Sequence, residues 1–373
     1  MFEAESYEGS KLCWPGDLVI NTMWAWMSAL GVSNYHGIVS PSYGVYRLHD
    51  PQTYNPRFLD LLLRTPEYAA EYMRRSTGIR QSRLRLYPEE FLRIPLPVPP
   101  RPEQDAIVAY LDGKLEAIDR YLRVKEREIA LLEERKRALI HRAVTRGLDP
   151  NPKLQPSGIP WLPEIPVGWE AWRIGHLARV GNGSTPARSQ PSYWTEGAYP
   201  WLNSASVNQG TITESDQFVT PTALRECHLP IVPRHSVLVA ITGQGKTRGT
   251  AALLDFEATI NQHLAFITIT NPRLVPRYLH LALRGLYAQL RAMSDDSGST
   301  KGALTCHDLK HLKIPMPPKK LQLMIVGECN EEVEKIDTTI TRARRQIKRM
   351  QEYRTALIAE AVTGKIDVTD RPT

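Results

Sequence analysis

The chain has 373 residues, of which 42% are hydrophobic and 23% charged, and its formal net charge is +7. These values are typical of globular protein with room for two or more domains, and the basic excess favours contact with a polyanion such as nucleic acid. Short apolar runs, an acidic N-terminus without an apolar core and four scattered cysteines predict a cytoplasmic protein with reduced thiols and no membrane span, zinc site or disulfide.

Residues 1–100 form the first predicted globular domain. The runs "DLVIN" and "GVYRL" are short, β-branched and flanked by turn residues, as strands are. Between them lies a loop rich in Trp, Tyr, Asn and Ser, whose side chains suit stacking and hydrogen bonding to bases. The candidate contact residues there are Trp24, Trp26, Asn34, Tyr35 and His36. A role of the two tryptophans in the core is an equal alternative.

Residues 101–147 are predicted to form a long helix, because the stretch from Pro102 to Arg146 contains no internal proline and is rich in good helix formers. Apolar residues recur at alternating steps of four and three, which is typical of a coiled-coil seam. The predicted seam residues of this helix are Leu111, Leu115, Ile118, Leu122, Ile129, Leu132 and Leu139. Lys136 interrupts the seam.

Residues 155–317 form the second predicted globular domain, with strands at "SVLVAIT" and "LAFITIT". Its polar loops hold donors and acceptors suited to base edges and phosphates. The candidate DNA contacts are Ser184, Thr185, Arg188, Tyr193, Trp194, Asn203, Gln244, Lys246, Thr247, Arg248, Asn261, Gln262 and His263. For His263, a satisfied structural histidine is as good an interpretation as a DNA contact.

The stretch "VLVAITGQGKT" fits a loose form of the nucleotide-binding P-loop. A P-loop requires a helix directly after the lysine and an acidic residue on a neighbouring parallel strand. The residues that follow, "RGTAALLDFEATINQHLAFITIT", leave little room for a helix before the next strand. We therefore expect a glycine-rich loop between strands, whose Lys246 and Arg248 contact a phosphate of DNA, and we expect no ATPase and no other catalytic signature.

Residues 318–364 are predicted to form a second long helix with the same seam period. Its predicted seam residues are Val333, Ile336, Ile340, Ile347, Met350 and Leu357, and Arg354 interrupts the seam at the position equivalent to Lys136. We expect both cations to face carboxylates, although long side chains can also extend to solvent. Two such helices can pair antiparallel within one chain or between two chains of a homodimer, and the period does not distinguish these arrangements.

The two helices belong to an internal repeat of about one hundred residues. "FLRIPLPVPP" resembles "HLKIPMPP" and "PRFL" resembles "PRYL" at an offset of 220, and further on the offset becomes 218, where "RALIHRAVTRGLD" resembles "TALIAEAVTGKID". Two sequence copies imply two copies of one structural unit. The predicted fold class is therefore α+β, with two mixed α/β domains separated by a pair of long antiparallel coiled-coil helices and related by a pseudo-two-fold axis.

The assembled pattern resembles the specificity subunits of type I restriction-modification systems over essentially the whole chain. The resemblance rests on "SGIPWLPEIPVGWEAWRIGHLARVGNGSTP", on "ITGQGKTRGTAALL", on "GIVSPSYGVYRL" and on the paired segments from "IPLPVPPRPEQDAI" and "IPMPPKKLQLMI" to "AVT". It implies a non-catalytic subunit whose two target recognition domains each read half of a split double-stranded DNA sequence.

The resemblance also implies partners. Two methyltransferase (M) subunits would bind S-adenosylmethionine and modify adenine, and restriction (R) subunits would use ATP, so no cofactor is expected on this chain. Compared with the second domain, the first lacks a counterpart of "GWEAWRIGHLARVGNGSTP", and we expect it to be truncated at its N-terminus. A coiled-coil scaffold with two binding modules that do not contact DNA is the alternative.

Overall fold

The computed structural model describes residues 8–80, 84–243, 245–295 and 302–368. The chain divides into two compact units, which are residues 1–129 with 341–373 and residues 130–340. The two longest helices contribute to both units. Among the described residues no helix has the length and apolarity needed to cross a membrane.

The globular part of the first unit, as far as the structure describes it, is built from short strands and short helices. The strands are β1 (Lys11–Cys13), β2 (Leu18–Asn21), β3 (Leu30–Val32), β4 (Gly37–Val39) and β5 (Tyr43–Tyr46), and the helices are α1 (Pro56–Leu63), α2 (Pro66–Arg75) and α3 (Pro88–Leu92). Antiparallel pairing gives one sheet in the order β3-β2-β5 and a separate β1-β4 pair. Helix α1 begins where sequence chemistry favours it, since Pro56 occupies its first turn and the Asn55 side chain accepts hydrogen bonds from the backbone of Arg57 and Phe58.

The long helix α4 (Arg101–Arg146) leads from the first unit into the second. The described residues of the second unit form the strands β6 (Leu154–Ile159), β7 (Leu162–Pro166), β8 (Glu170–Arg173), β9 (Ala178–Asn182), β10 (Tyr199–Leu202), β11 (Thr211–Ile212), β12 (Phe218–Val219), β13 (Val237–Ala240), β14 (Ala251–Leu254), β15 (Thr259–Ile260), β16 (Leu264–Ile269) and β17 (Lys313–Met316). Its shorter helices are α5 (Pro221–Glu226), α6 (Pro276–Gly285), α7 (Tyr287–Asp295) and α8 (Cys306–His311), and the second long helix is α9 (Lys319–Val362).

The main sheet of the second unit has the order β11-β14-β13-β16-β9. All neighbours are antiparallel except β11 and β14, which run parallel. Every residue of β13 and β14 is buried because apolar clusters cover both faces of the sheet. A smaller sheet, β12-β10-β15, carries Trp201 into a third cluster.

The long helices pair with each other inside each unit. In the first unit the early part of α4, with Leu111 and Ile118, shares a core with the late part of α9, with Leu357. In the second unit the late part of α4, with Ala143, packs with the early part of α9, with Val333. Early residues of one helix therefore meet late residues of the other, which confirms the antiparallel arrangement and makes the pairing intramolecular. All thirteen predicted seam residues are buried or half-buried.

The two cations that interrupt the seam each meet a carboxylate. Lys136 Nζ lies 2.5 Å from Asp337 Oδ1, and Arg354 Nη2 lies 3.6 Å from Asp119 Oδ1. The 218-residue offset places Asp119 on Asp337 and Lys136 on Arg354, so the same ion pair occurs once in each unit with the charges on opposite helices. The structure thus shows carboxylate partners where the sequence left solvent exposure as an alternative.

The repeat also holds at the level of single hydrogen bonds. Gln104 and Gln322 are fully buried near the starts of α4 and α9. The Oε1 atom of each accepts from a backbone N–H at 2.8 Å, that of Asn55 or Val275, and each Nε2 donates to two carbonyls. Each long helix is therefore clamped to the globular part of the unit in which it begins.

Candidate nucleic-acid interface

Three loops of the second unit meet at one edge of its main sheet. Strand β9 ends at Asn182, β13 ends at Ala240 and the antiparallel β16 begins at Leu264, and the register pairs Asn182 with Ala265 and Ala240 with Leu264. The loops 183–190, 241–250 and 261–263 consequently lie side by side, and together we call them the polar edge. The loops are up to eighty residues apart in the sequence, so the sequence did not predict that they are neighbours.

Side chains at the polar edge form a continuous hydrogen-bond network. The Thr185 hydroxyl donates to Gln262 Oε1, the Gln262 amide lies 3.3 Å from His263 Nε2, and His263 Nδ1 lies 2.7 Å from the Thr242 hydroxyl. Thr185, Gln262 and His263 are exposed. The network fixes an amide, an imidazole and hydroxyls in place while leaving hydrogen-bonding capacity toward solvent, which is the chemistry that reads base edges.

Gly183 allows the first of these loops to pass close to its neighbour. A Cβ atom at this position would lie 1.7 Å from the Ile260 carbonyl oxygen. Any side chain would therefore push the loop away from β15 and break the 3.1 Å hydrogen bond from Ser184 N to Ile260 O. The glycine positions Ser184 and Thr185 beside the 261–263 turn.

An aromatic cluster adjoins the polar edge. The exposed Arg188 guanidinium stacks over Trp194 at 3.8 Å from the ring centre and lies 5.1 Å from that of Trp201, and its Nη2 donates to Gln217 Oε1 at 2.5 Å. Trp194 meets Trp201 edge-on and donates through Nε1 to the Ala187 carbonyl. Stacking holds the guanidinium in one orientation, so the side chain loses less conformational entropy when it forms a bidentate contact.

The loop that resembles a P-loop is a hairpin connection. Strands β13 and β14 on either side of it are antiparallel neighbours, and a turn rather than a helix follows Lys246. The described residues of this loop therefore have the geometry of a strand connection and not the strand–loop–helix geometry of a P-loop. The Lys246 side chain is exposed, while its carbonyl accepts from the Tyr287 hydroxyl at 2.8 Å and Arg291 holds the Gly245 carbonyl at 2.8 Å. Gln244 lies outside the described residues.

Arg248 corrects the expectation that it contacts a phosphate. Its side chain is only 5% exposed, and its guanidinium donates to Asp295 Oδ1 and, at 2.7 Å, to the Gly302 carbonyl. A buried guanidinium committed to these partners supports the loop from inside and presents no charge to a ligand. The neighbouring Thr247 is half-buried.

Three further candidates have structural partners. Asn203 caps the short 3-10 helix Ser204–Gln209, Asn261 is buried and accepts from the backbone N–H of His263, and Tyr193 donates to Glu226 at 2.9 Å. The hydrogen bond to Glu226 raises the pKa of the Tyr193 hydroxyl, so this side chain stays neutral. These residues shape the interface, and their role toward DNA stays a prediction.

The first unit presents its candidates in two places. Tyr35, 80% exposed, lies beside exposed Asn34 and His36, and His36 stacks on Trp14 with ring centres 4.0 Å apart. Trp24, 56% exposed, precedes a short 3-10 helix that contains the half-buried Trp26. Exposure excludes Trp24 from the core, whereas Trp26 Nε1 is held by the Met23 carbonyl.

Several residues of the site were not among the contacts predicted from the sequence. Thr242 completes the network with His263, Gln217 orients Arg188, Trp14 stacks on His36, and Tyr287 and Arg291 anchor the hairpin loop. Thr242 is the last residue of the predicted strand "SVLVAIT", at the end next to the polar loop, and could have been found there. The signal for Gln217, Tyr287 and Arg291 is long-range contact, which single-sequence patterns do not carry.

Comparison with known proteins gives these geometries a family context. Residues 166–346 match the family model of the type I restriction modification DNA specificity domain. A relative in Methanocaldococcus jannaschii, the type I restriction enzyme MjaIX specificity subunit, is 24% identical over 207 residues, which cover 56% of this chain and 46% of the relative. The chain thus spans about half the length of that relative.

Two solved structures share the fold. One, from a study of complex assembly and conformational transition of the type I restriction-modification system, has a TM-score of 0.75 at 17% identity and covers 97% of this chain and 85% of its own. The other, the HsdS subunit of Thermoanaerobacter tengcongensis, has a TM-score of 0.53 at 18% identity, with 97% and 84% covered. Residues 166–346 therefore resemble the type I restriction modification DNA specificity domain, and the chain has the fold of these two solved structures.

Proposed function

We propose that this chain is a DNA-reading subunit that directs a partner's chemistry to a bipartite double-stranded sequence. The polar edge carries the proposal, because it combines a fixed network of amide, imidazole and hydroxyl groups with an exposed lysine at one rim of a rigid sheet. In this assignment Gln262 contacts a base edge, Arg188 contacts guanine or phosphate, and Lys246 contacts phosphate. His263, whose two ring nitrogens are bonded to Gln262 and Thr242, positions Gln262. Thr185 also holds Gln262, and Trp194 holds Arg188.

The partners follow from the family. We propose that two methyltransferase subunits, which supply S-adenosylmethionine, and restriction subunits, which supply ATP, assemble with this chain in the cytoplasm. The chain itself would then hold no cofactor and perform no chemistry. Trp24, Asn34, Tyr35 and His36 of the first unit would contact the other half of the target.

Equilibrium binding to duplex DNA tests the proposal. The full chain, purified with a co-expressed methyltransferase subunit, is titrated with a randomised duplex library and then with the selected sequence between 50 and 200 mM salt. We expect selection of one split motif and an affinity that falls steeply with salt, by on the order of a hundredfold or more for a complex with several phosphate contacts.

The scaffold interpretation predicts a different result. If no sequence is enriched and affinity for duplex barely responds to salt, the chain does not read DNA, and two binding modules on a coiled coil would remain as its function. Lys246→Ala supplies an internal control, since loss of a phosphate contact lowers affinity for all sequences alike and reduces the salt slope by about one.

A further inference from the structure

The second unit contains a polar cleft that the polar edge does not use. Its volume is about 760 Å³, and it lies between strands β11 and β14 and the helices α6 and α9. This volume is in the range of small-ligand sites. The lining includes Lys136, Arg277, His280, Arg284, Asn330 and Asp337.

Positive charge in this cleft is incompletely matched. The carboxylate of Asp337 is engaged by Lys136, and Asp255, at the rim, is engaged by Arg234 at 2.8 Å. Within the described part of the chain neither Arg277 nor Arg284 forms an ion pair or a side-chain hydrogen bond. Burial lowers the pKa of the Arg284 guanidinium, against the opposing effect of Asp337, so this cation lies in a poorly solvated place.

The first unit shows how the same positions are neutralised internally. There Asp60 lies 3.7 Å from Arg57 and 3.5 Å from Arg64, and Asp112 lies 3.2 Å from Arg57. The 220-residue offset places Arg57, Asp60 and Arg64 on Arg277, His280 and Arg284, and the 218-residue offset places Asp112 on Asn330. Both arginines are kept in the second unit, while both carboxylates are replaced by uncharged side chains.

The replacement of the carboxylate leaves the backbone satisfied. In the first unit Asp60 also accepts from Val32 N of β3 at 3.1 Å. In the second unit Leu253 of β14 pairs with Val237 of β13 as Val32 of β3 pairs with Leu18 of β2, and its N–H donates to the Gly210 carbonyl at 2.9 Å. Burial lowers the pKa of His280 to about 4, so it is neutral at pH 7. What the second unit lacks, relative to the first, is therefore the negative charge between the arginines.

We propose that the cleft binds a phosphate oxyanion between Arg277 and Arg284. A doubly charged tetrahedral group would supply the charge that Asp60 and Asp112 supply in the first unit, and guanidinium groups bind such oxygens in bidentate geometry. Asn330 lies on the same wall as a further donor, whereas His280 Nε2 lies 3.2 Å from the Ala251 carbonyl oxygen and its N–H is engaged there. The phosphate is either free in solution or part of a DNA backbone. Binding of free phosphate goes beyond the proposed function, whereas the DNA source rests on it.

Calorimetric titration of the full chain with inorganic phosphate, at constant ionic strength, tests the first source. We expect one saturable site in the unaltered chain, weakened at least tenfold by Arg277→Ala and by His280→Asp. The second variant rebuilds the carboxylate that the first unit holds beside two arginines, and because it removes the hydrogen bond between His280 Nε2 and the Ala251 carbonyl, its thermal unfolding is compared with that of the unaltered chain. Arg123→Ala and His176→Asp, both at exposed positions, are matched charge controls and should bind as the unaltered chain does.

Duplex titration tests the second source. If free phosphate does not bind but Arg277→Ala and His280→Asp lower duplex affinity and the salt slope more than their controls, the phosphate belongs to DNA and the inference holds. Phosphate binding that survives His280→Asp would overturn it. The inference is also overturned if the variants bind phosphate and duplex as their controls do. Variants that lose only association with a partner protein belong to this outcome, because an acidic segment of that protein would then occupy the cleft.

Discussion

For single residues, burial gives side chains of the same type different charge properties. His280 and Arg284 lie in one turn of α6 next to the cleft, and both are less favourable in charged form than in water. For His280 the cause is burial first, then the charge of Arg284. A histidine that folding keeps neutral makes stability depend on pH.

We predict that the second unit loses stability as the pH falls from 6.5 to 4. The folded pKa of His280 is about 4, below the unfolded value of 6.5, so in this window the unfolded chain binds more protons and acid favours unfolding. The expected loss is on the order of 3 kcal/mol. Chemical denaturation at several pH values measures it. His280→Gln should remove this part of the pH dependence and exposed His176→Gln should not; equal profiles for all three proteins would contradict the assignment.

We predict that substitution of Lys246 changes DNA binding and that substitution of Arg248 changes stability. Lys246→Ala removes an exposed cation, so we expect unchanged thermal stability and weaker duplex binding. Arg248→Ala removes a buried guanidinium bonded to Asp295 and Gly302, and we expect the free energy of unfolding to drop by about 2–4 kcal/mol. Thermal unfolding together with duplex titration distinguishes the two. A stable Arg248→Ala protein with a reduced salt slope would restore Arg248 as a phosphate contact.

Residue chemistry in the polar edge was partly predictable. The residue types of Gln262, His263, Lys246 and Arg188 pointed to DNA contact, and the structure leaves all four exposed. The same chemistry pointed equally to Arg248, which is buried. The difference lies in Asp295 and Gly302, about fifty residues away, and local sequence carries no information about which cation they will hold.

At the scale of elements, the helix pair has an ion pair in each unit that favours one register. Lys136 is 18% exposed and Asp337 48% exposed, so their interaction is only partly screened by water. A shift of α9 along α4 by one turn would separate these charges and leave Lys136 facing apolar neighbours. The two pairs thus oppose slippage at two places on the same helices.

We predict that charge reversal at this pair is destabilising and that the swap restores stability. Lys136→Glu places two carboxylates opposite each other and should lower the free energy of unfolding by about 1 kcal/mol or more. Lys136→Glu combined with Asp337→Lys should recover most of the loss, which a double-mutant cycle by denaturant unfolding measures. Strictly additive losses would mean that the cation only extends to solvent.

The hydrogen bonds of the buried Gln104 and Gln322 are the second feature shared by both units. Gln322→Ala removes three hydrogen bonds, to Val275, Arg273 and Pro317, and leaves their backbone groups unsatisfied in the core. We expect the free energy of unfolding to fall by about 2–4 kcal/mol, and Gln104→Ala to cost the first unit a similar amount. Exposed Gln346→Ala on the same helix is the control. Losses below about 0.5 kcal/mol would show that the clamp is dispensable.

Elements were more predictable than contacts. The seam period and the absence of internal proline located α4 and α9 to within one or two residues, because helix formation depends on local spacing. The order of the main sheet was not predictable, since β11 joins β14 in parallel across forty residues. Such pairings depend on tertiary contacts that a strand's own residues do not encode.

At the scale of the whole molecule, the repeat explains both similarity and divergence. The glutamine clamps, which fix each long helix to its globular part, and the ion pairs, which join the two helices, recur in both units. The surroundings of the repeated arginines differ, with carboxylates in the first unit and a cleft in the second. One scaffold therefore carries two units that are free to differ in what they bind.

The central claim is that the chain chooses the DNA sequence on which its partners act. Its most direct test is to co-express the chain with its proposed methyltransferase partner and to map methylated adenines across the host genome, for the unaltered chain and for Gln262→Ala. We predict methylation at one split motif, with one half of that motif relaxed or lost in the variant. Methylation without any motif, or an identical motif in both strains, would contradict the account.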